Sequence, residues 1–242
     1  GDEFYKQEDN PGYNLDLEAW IRKTGEGESL VNQAAERFDM TFSQSVPFTV
    51  SESVWHSERV AQALVRLKDM AMPVMEQADW DFETIETGTL VATGLGTFCK
   101  KPQLFEYLVS TMESAREVVM VNPYFVLDRT MQSGIQRIAN ATDHLTIVTN
   151  SAATGNNIIA SSDGLVHRNM IRKLQAQVYE LNHTYSMHTK SMLLDDDTCM
   201  IGSFNMDMRS AYLDTEQMLV IRSRGLARAW KAYMDTLLES SV

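Results

Sequence analysis

Apolar positions along this chain follow two different periods, and the two alternate. Short apolar runs at 117–121, 144–149, 177–181 and 216–222 have strand length. Between and after them, segments of helical length and period fall at 129–141, 164–176 and 226–239. Lys101-Pro102 opens another helix to about Ala115, with proline at a tolerated first-turn position. Strands alternating with helices predict an α/β sandwich in which a central mixed β-sheet is flanked by helices. The N-terminal part is less regular. Leu30 to Phe42 reads as a helix and residues 43–56 as irregular. Ser57 with Glu58 starts a further helix with Val60, Leu64, Leu67 and Met70 on one face. Residues 71–100 show no clear period and read as a linker or cover, with Gly94-Leu-Gly96 as a turn.

One hairpin stands out by what it carries. Met187 to Leu194 is short, ends apolar and runs into the polar turn Asp195-Asp196-Asp197. Thr198 to Ile201 returns as a second apolar strand, and Gly202 lets the chain bend closely. His188 and Lys190 are two apart, which puts them on one face of a strand. Ser203 and Asn205 follow at the strand exit, where the hairpin brings them back beside His188 and Lys190. Imidazole, ammonium, hydroxyl and carboxamide are the groups needed to attack, hold and neutralise a phosphodiester. The whole reads H-x-K-x4-D-x6-G-S-x-N without a gap. An ordinary hairpin with a polar rim is the bland alternative, and six identities at fixed spacing outweigh it. The triple aspartate fits a hairpin turn better than a metal site. His183 and His188, five apart, lie on opposite faces of a strand and do not share a metal.

The pattern resembles the HKD motif of the phospholipase D superfamily. The residues around it extend the likeness. Met206 to Glu216 resembles the segment after the second motif of bacterial cardiolipin synthases and related phospholipase D-like proteins. Asn122-Pro-Tyr-Phe125, after the 117–121 strand, looks like the element that opens the same half-domain, and Leu145 to Ser151 and Val178 to Leu181 look like its later strands. At the other end, Gly1-Asp2-Glu3-Phe4-Tyr5 resembles the tail of a first motif. Ala35 to Pro47 resembles the segment that closes the first half, with Ser43-Gln44 where the family has Trp-Asn. No second H-x-K-x4-D occurs, because His56, His144, His167 and His183 all lack a lysine two residues on. The expected organisation is therefore a first-half tail over 1–56, a helical linker or cover over 57–100, and a C-terminal half-domain over 101–242, in a chain cut just after its first motif.

The resemblance implies a two-step reaction without a cofactor or metal. One histidine attacks phosphorus and forms a phosphohistidine, and the other protonates the leaving alcohol. His188, Lys190 and Asp195 are the motif's catalytic set, although the counterpart of Asp195 is usually structural. Ser203, Asn205 and Glu216 are the substrate-binding candidates. Lys190 and Asn205 would hold the non-bridging oxygens. Glu216 matches the downstream acid that hydrogen-bonds a catalytic histidine, and Asp2 or Glu3 would then orient His188 while Glu216 serves the other half. In two-motif relatives the first motif usually supplies the nucleophile, which favours His188 as general acid/base; spacing leaves its role open. Implied partners are a phospholipid, a membrane surface at a bacterial cell membrane, and either the other half or a second copy of the chain. Two alternatives stand beside this reading. One is a single-motif phosphodiesterase or nuclease built as a homodimer. The other is a non-catalytic half-domain, against which the intact motif argues.

Composition narrows this a little. At 242 residues and 44% hydrophobic the chain can bury a sizeable core. No apolar run approaches the roughly 18 residues of a membrane-spanning helix. Two cysteines, Cys99 and Cys199, are too few for a disulfide scaffold, and Cys199 reads as core. Met70, Met72, Met75, Met206 and Met208 read as packing. The net charge is −12; residues 1–105 carry 18 acids against 9 bases and residues 106–242 carry 15 against 12. The acidity sits away from the motif, and no basic run forms a nucleic-acid footprint, which favours a lipid phosphodiester over nucleic acid.

Overall fold

A computed structural model describes residues 14–46, 56–77, 82–96, 100–151, 171, 173–182 and 186–239. In chain order the elements are β1 (Asn14–Leu15), α1 (Leu30–Ser43), α2 (Glu58–Gln77), β2 (Thr87–Ala92), α3 (Gln103–Met112), β3 (Glu117–Val121), β4 (Phe125–Val126), α4 (Arg129–Ala141), β5 (His144–Asn150), β6 (Gln177–Leu181), β7 (Ser186–Met187), β8 (Ser191–Leu194), β9 (Thr198–Gly202), β10 (Met206–Asp207), α5 (Met208–Tyr212), β11 (Gln217–Arg222) and α6 (Arg224–Leu238). Seven strands form one sheet in the order β2-β11-β9-β8-β3-β5-β6. The β3–β5 and β5–β6 pairs are parallel and the other four are antiparallel. The expected mixed sheet with flanking helices is therefore present.

Period-two alternation sorts the strand side chains between two cores. Met192 and Leu194 of β8 and Met200 of β9 face one way, into a cluster with Leu108, Met112, Ile135 and Ile138 of α3 and α4. Leu193, Cys199 and Ile201 face the other way, onto Ala227, Trp230, Met234 and Leu237 of α6. Trp230 satisfies its indole N–H by donating to buried Ser191 Oγ at 3.0 Å. Burial also pushes the Cys199 thiol up to about 12, helped by the Asp197 charge, so it stays a protonated core residue. Caps fix where the helices begin. Asp128 accepts from Met131 N at 2.8 Å at the start of α4, and Ser223 accepts from Leu226 N at 3.3 Å at the start of α6.

α3 and α4 pack so closely that Gly134 of α4 has no room for a side chain. A Cβ there would lie 2.7 Å from the Phe105 ring. Phe105 is fully buried and stacks on Phe204, inside the motif, at a centroid distance of 6.4 Å. Gly134→Ala is expected to cost about 1–3 kcal/mol through overpacking. Thermal unfolding would show this as a midpoint fall of roughly 2–12 °C for a chain of this size.

Two local expectations change. Residues 71–100, read as aperiodic, contain β2, which edges the main sheet against β11. Among the described residues of that stretch only Thr93, just beyond β2, is fully buried, so the strand carried no apolar alternation to read. Gly88 in β2 makes space for Leu30, and Gln33 Oε1 accepts from Leu90 N at 2.7 Å, which fastens the start of α1 to this strand. Residues 36–83 form a separate compact unit. Within it Phe38 and Phe42 stack at 5.9 Å yet are 66% and 68% exposed. Leu64 and Leu67, on the expected apolar face of α2, are also more than half exposed. Cys99, His167, His183 and most of the expected 164–176 helix lie outside the described residues, as do the side chains of Met70, Met72 and Met75.

Candidate active site

β3 and β5 run parallel; Asn122 directly follows β3 and Asn150 ends β5. β8 and β9 are antiparallel to each other, so β8 begins and β9 ends at that same edge of the sheet. The two asparagines pin the motif there. Asn150 replaces a neighbouring strand for Met187: its Oδ1 accepts from Met187 N at 2.8 Å and its Nδ2 donates to Met187 O at 2.7 Å. Asn122 does the same on the other side. Its Nδ2 donates to Phe204 O at 3.2 Å and its Oδ1 accepts from Met206 N at 3.0 Å. Asn122 is fully buried, so losing either bond would leave an unpaired buried group, at about 1–3 kcal/mol.

The strand expected over 187–194 is interrupted at the chemistry. Residues 188–190 belong to no strand and lie between β7 and β8. β1 pairs in parallel with β7, Asn14 opposite Ser186 and Leu15 opposite Met187. One residue further along each strand, that register sets Asp16 beside His188. His188 Nδ1 lies 2.9 Å from Asp16 Oδ1. The hydrogen bond to His188 holds the Asp16 carboxyl below its ordinary range; partial burial opposes this, and the nearby charges of His188 and Lys190 add to it. An ionised Asp16 accepting from Nδ1–H leaves Nε2 as the reactive nitrogen. Lys190 is buried, and its ammonium donates to the His188 carbonyl at 2.6 Å. It thus both tethers the backbone of His188 and holds a positive charge at the site.

Lys190 O accepts from Gly202 N at 3.2 Å, which sets the second part of the motif alongside the first. A Cβ on Gly202 would collide with the Gln217 carbonyl, so glycine is required by this close approach. Next comes Ser203, whose hydroxyl donates to Glu216 Oε2 in a short contact. Ser210 Oγ donates to the other oxygen, Oε1, at 2.6 Å. Thr93 Oγ1 accepts from Glu216 N at 2.9 Å. The buried carboxylate is therefore held at both oxygens and at its backbone. Tyr124 lies close by; burial first, and then the Asp207 carboxylate, keep its hydroxyl protonated well above the ordinary value. Asn205 Oδ1 is buried with no hydrogen-bond partner among the described residues.

Of the six expected site residues, five gather at this edge of the sheet. Asp195 does not. It sits beyond the far end of β8, separated from Lys190 by that strand's four residues, a span of about 13 Å. Its backbone is left-handed, with φ of +45°, and its Oδ1 accepts from Arg116 N and Glu117 N, both at 3.0 Å. Asp195 thus ties the hairpin turn to the start of β3, away from the other five residues. Glu216 lies at the correct edge but does not hydrogen-bond His188; Asp16 takes that place. Asp2 and Glu3 lie outside the described residues. Sequence reasoning missed Asp16, Thr93 and Ser210, and it noted Asn122 and Asn150 only as parts of a resemblance. The one sequence signal for Asp16 was the alternation of Leu15, Leu17 and Ala19 around it; Leu17 and Ala19 pack on the α6-side core. Among the described residues, no three His, Cys, Asp or Glu side chains converge as a metal-binding group.

The profile of the family described as cardiolipin synthase, PLD-like domain, matches residues 108–238. Cardiolipin synthase C of Escherichia coli (strain K12) is 25% identical over 197 residues, covering 72% of this chain and 42% of that protein. Two solved structures share the fold. NucT from Helicobacter pylori aligns with a TM-score of 0.52 at 20% identity, over 64% of this chain and 98% of that one. Nuc, a phospholipase D family member from Salmonella typhimurium, aligns at 0.50 and 19%, over 64% and 96%. The chain spans less than half the length of the curated relatives it matches. The profile match runs from within α3 to the end of α6, takes in the whole motif and covers more than half of the 242 residues, and on that ground the chain belongs to the phospholipase D superfamily, within its cardiolipin synthase-type, PLD-like domain family.

Proposed function

We propose that this chain supplies one half of a phospholipase D-type centre that processes a phospholipid phosphodiester, by phosphatidyl transfer to an alcohol or by hydrolysis. The observation that supports it most is the edge of the sheet where His188, oriented through Nδ1 by Asp16, stands beside buried Lys190. In the first step a histidine Nε2 attacks phosphorus, the bond to the leaving oxygen breaks, and a second histidine gives that oxygen its proton. In the second step an acceptor alcohol or water attacks the same phosphorus. The P–N bond then breaks, and the second histidine takes the acceptor's proton. Lys190 and Asn205 hold the non-bridging oxygens. Ser203 and Ser210 fix Glu216, which is left to orient the histidine of the opposing half. His188 is the general acid/base in a two-motif assembly.

The proposed organisation keeps 1–56 as the end of a first half, 57–100 as a linker or cover contributing β2, and 101–242 as the half-domain. The proposed location is a bacterial membrane surface. Among the described residues no helix is long and apolar enough to cross a membrane. A second reading is a single-motif phosphodiesterase in which two copies face each other. It draws support from NucT and Nuc, whose chains are covered almost entirely by 64% of this one. The exclusion of nucleic acid, read from charge alone, finds no support in these comparisons.

One experiment tests the proposal and separates the readings. The 242-residue chain is assayed against phosphatidylglycerol vesicles, single-stranded DNA and bis(4-nitrophenyl) phosphate, with its mass measured by light scattering. Turnover is expected only where two motifs meet: in a homodimer, or after a partner carrying a first motif is added. A monomer with full turnover would overturn the half-site reading. Cleavage of DNA but not lipid by a dimer would replace the first reading with the second. Because histidines and a lysine carry the chemistry, activity is expected to survive EDTA. Loss on chelation, restored by a divalent cation, would sink the mechanism.

A further inference from the structure

At the opposite end of the sheet from the motif lies an open cavity of about 690 Å³. The β8–β9 turn, the starts of β3 and β5 and the first turns of α6 enclose it, and its volume is in the range of small-molecule sites. The walls divide by charge. The α6 wall carries three cations, Arg224, Arg228 and Lys231, with Ala227 between them. The facing wall carries the Asp195–Asp197 turn, Glu117 and Asp143, with Arg116 and His144 among them.

Internal pairing does not use up these charges. Asp195 is occupied by the two backbone N–H groups, Asp197 by Arg222 at 2.9 Å, and Asp196 by Lys231 at 3.4 Å. Among the described residues the side chains of Arg224, Arg228, Arg116, Glu117 and Asp143 themselves make no hydrogen bond or ion pair. Arg224 and Arg228 are four apart on one helix and so share a face, where like charges repel unless an anion sits between them. Guanidinium groups suit phosphoryl oxygens, which they bind in pairs of hydrogen bonds. A purely anionic ligand, however, would meet the unpaired carboxylates opposite.

We infer that this cavity binds a small zwitterion, a ligand with a phosphoryl anion and an ammonium a few bonds apart. The phosphoryl oxygens face Arg224 and Arg228, and the ammonium faces Glu117 and Asp143. This is independent of the proposed reaction, since these four residues lie outside the motif and Asp195, the one motif residue in the cavity wall, is taken up by two backbone N–H groups. A free phosphorylated amine and an aminophospholipid headgroup share the required chemistry.

The probe is phosphoethanolamine, titrated into the 242-residue chain and followed by amide chemical shifts. Saturable shifts are expected in residues 195–197 and 224–228. Arg224→Gln with Arg228→Gln should weaken binding at least about tenfold, since each change removes a charged hydrogen-bond donor. Glu117→Gln with Asp143→Asn should weaken phosphoethanolamine while tightening inorganic phosphate, which no longer meets two carboxylates. All four side chains are exposed and hold no backbone group among the described residues, so the variants should keep the wild-type unfolding midpoint. Sedimentation with phosphatidylethanolamine vesicles then identifies the source. Cosedimentation lost in the arginine variant assigns a lipid headgroup; soluble binding without cosedimentation assigns a free solute. Shifts confined to His188, Lys190 and Asn205, or none at millimolar ligand, would overturn the inference. So would inorganic phosphate binding as tightly as phosphoethanolamine.

Discussion

His188→Ala is expected to abolish phosphodiester turnover in the assembled protein, by about 10⁴- to 10⁶-fold, the scale on which removing a nucleophile or its proton-transfer partner acts. No other histidine in the sequence has a lysine two residues on, so none can substitute. The loss should fall on kcat, because Lys190 and Asn205 remain to hold the phosphate. The imidazole side chain is 40% exposed and lies between strands, so its removal should leave the unfolding midpoint close to wild type. A variant that folds normally and keeps near-normal turnover would sink the assignment. Lys190→Ala should act more moderately, at about 10²- to 10³-fold, as the loss of one charged donor to the transition state. Lys190 is also buried and bound to the His188 carbonyl, so part of its effect would appear as reduced stability.

The sequence was most legible where a periodic pattern and a local motif coincide. β8 and β9 with their three-aspartate turn were readable because alternate side chains enter two different cores, and each strand is buried on both faces. α4 was readable because Met131, Ile135 and Ile138 recur on one buried face, with Asp128 as its cap. β2 was not readable, since its neighbour β11 and the Leu30 side chain, rather than any pattern of its own, give it a place. The break at 188–190 was hidden for a related reason. An apolar run bounded by a turn reads as one strand, but here Asn150 takes the place of a strand partner at Met187, 37 residues away in sequence. Asp195 was read correctly as a turn residue but grouped with His188 and Lys190, because a motif reports spacing and not direction. The four residues of β8 carry it to the far end of the sheet, where the left-handed turn and two backbone donors account for an aspartate.

Asp16→Asn is expected to lower kcat by about 10²- to 10⁴-fold while KM changes little, the pattern of a lost carboxylate partner to a catalytic imidazole. Asp16 acts through His188, so it is a positioning residue. An asparagine keeps the size and can keep one hydrogen bond, but it removes the charge that stabilises the imidazolium. Asp16→Ala should be no better, and Asp16→Glu should restore part of the rate, which a merely structural role in the β1–β7 pair would not predict. The pH dependence has a defined sign. The folded carboxyl is held below its ordinary value of 3.8, chiefly by the His188 hydrogen bond. A depressed acid stabilises the fold fully above its unfolded value, and that contribution is lost as pH falls through the lower folded value. The contact should therefore be intact through the neutral range, and β1 should detach only below about pH 4. Hydrogen exchange of the β1 and β7 amides would follow this. Protection that is lost in Asp16→Asn already at neutral pH, with kcat unchanged, would show that the contact holds the strand and does nothing for the histidine.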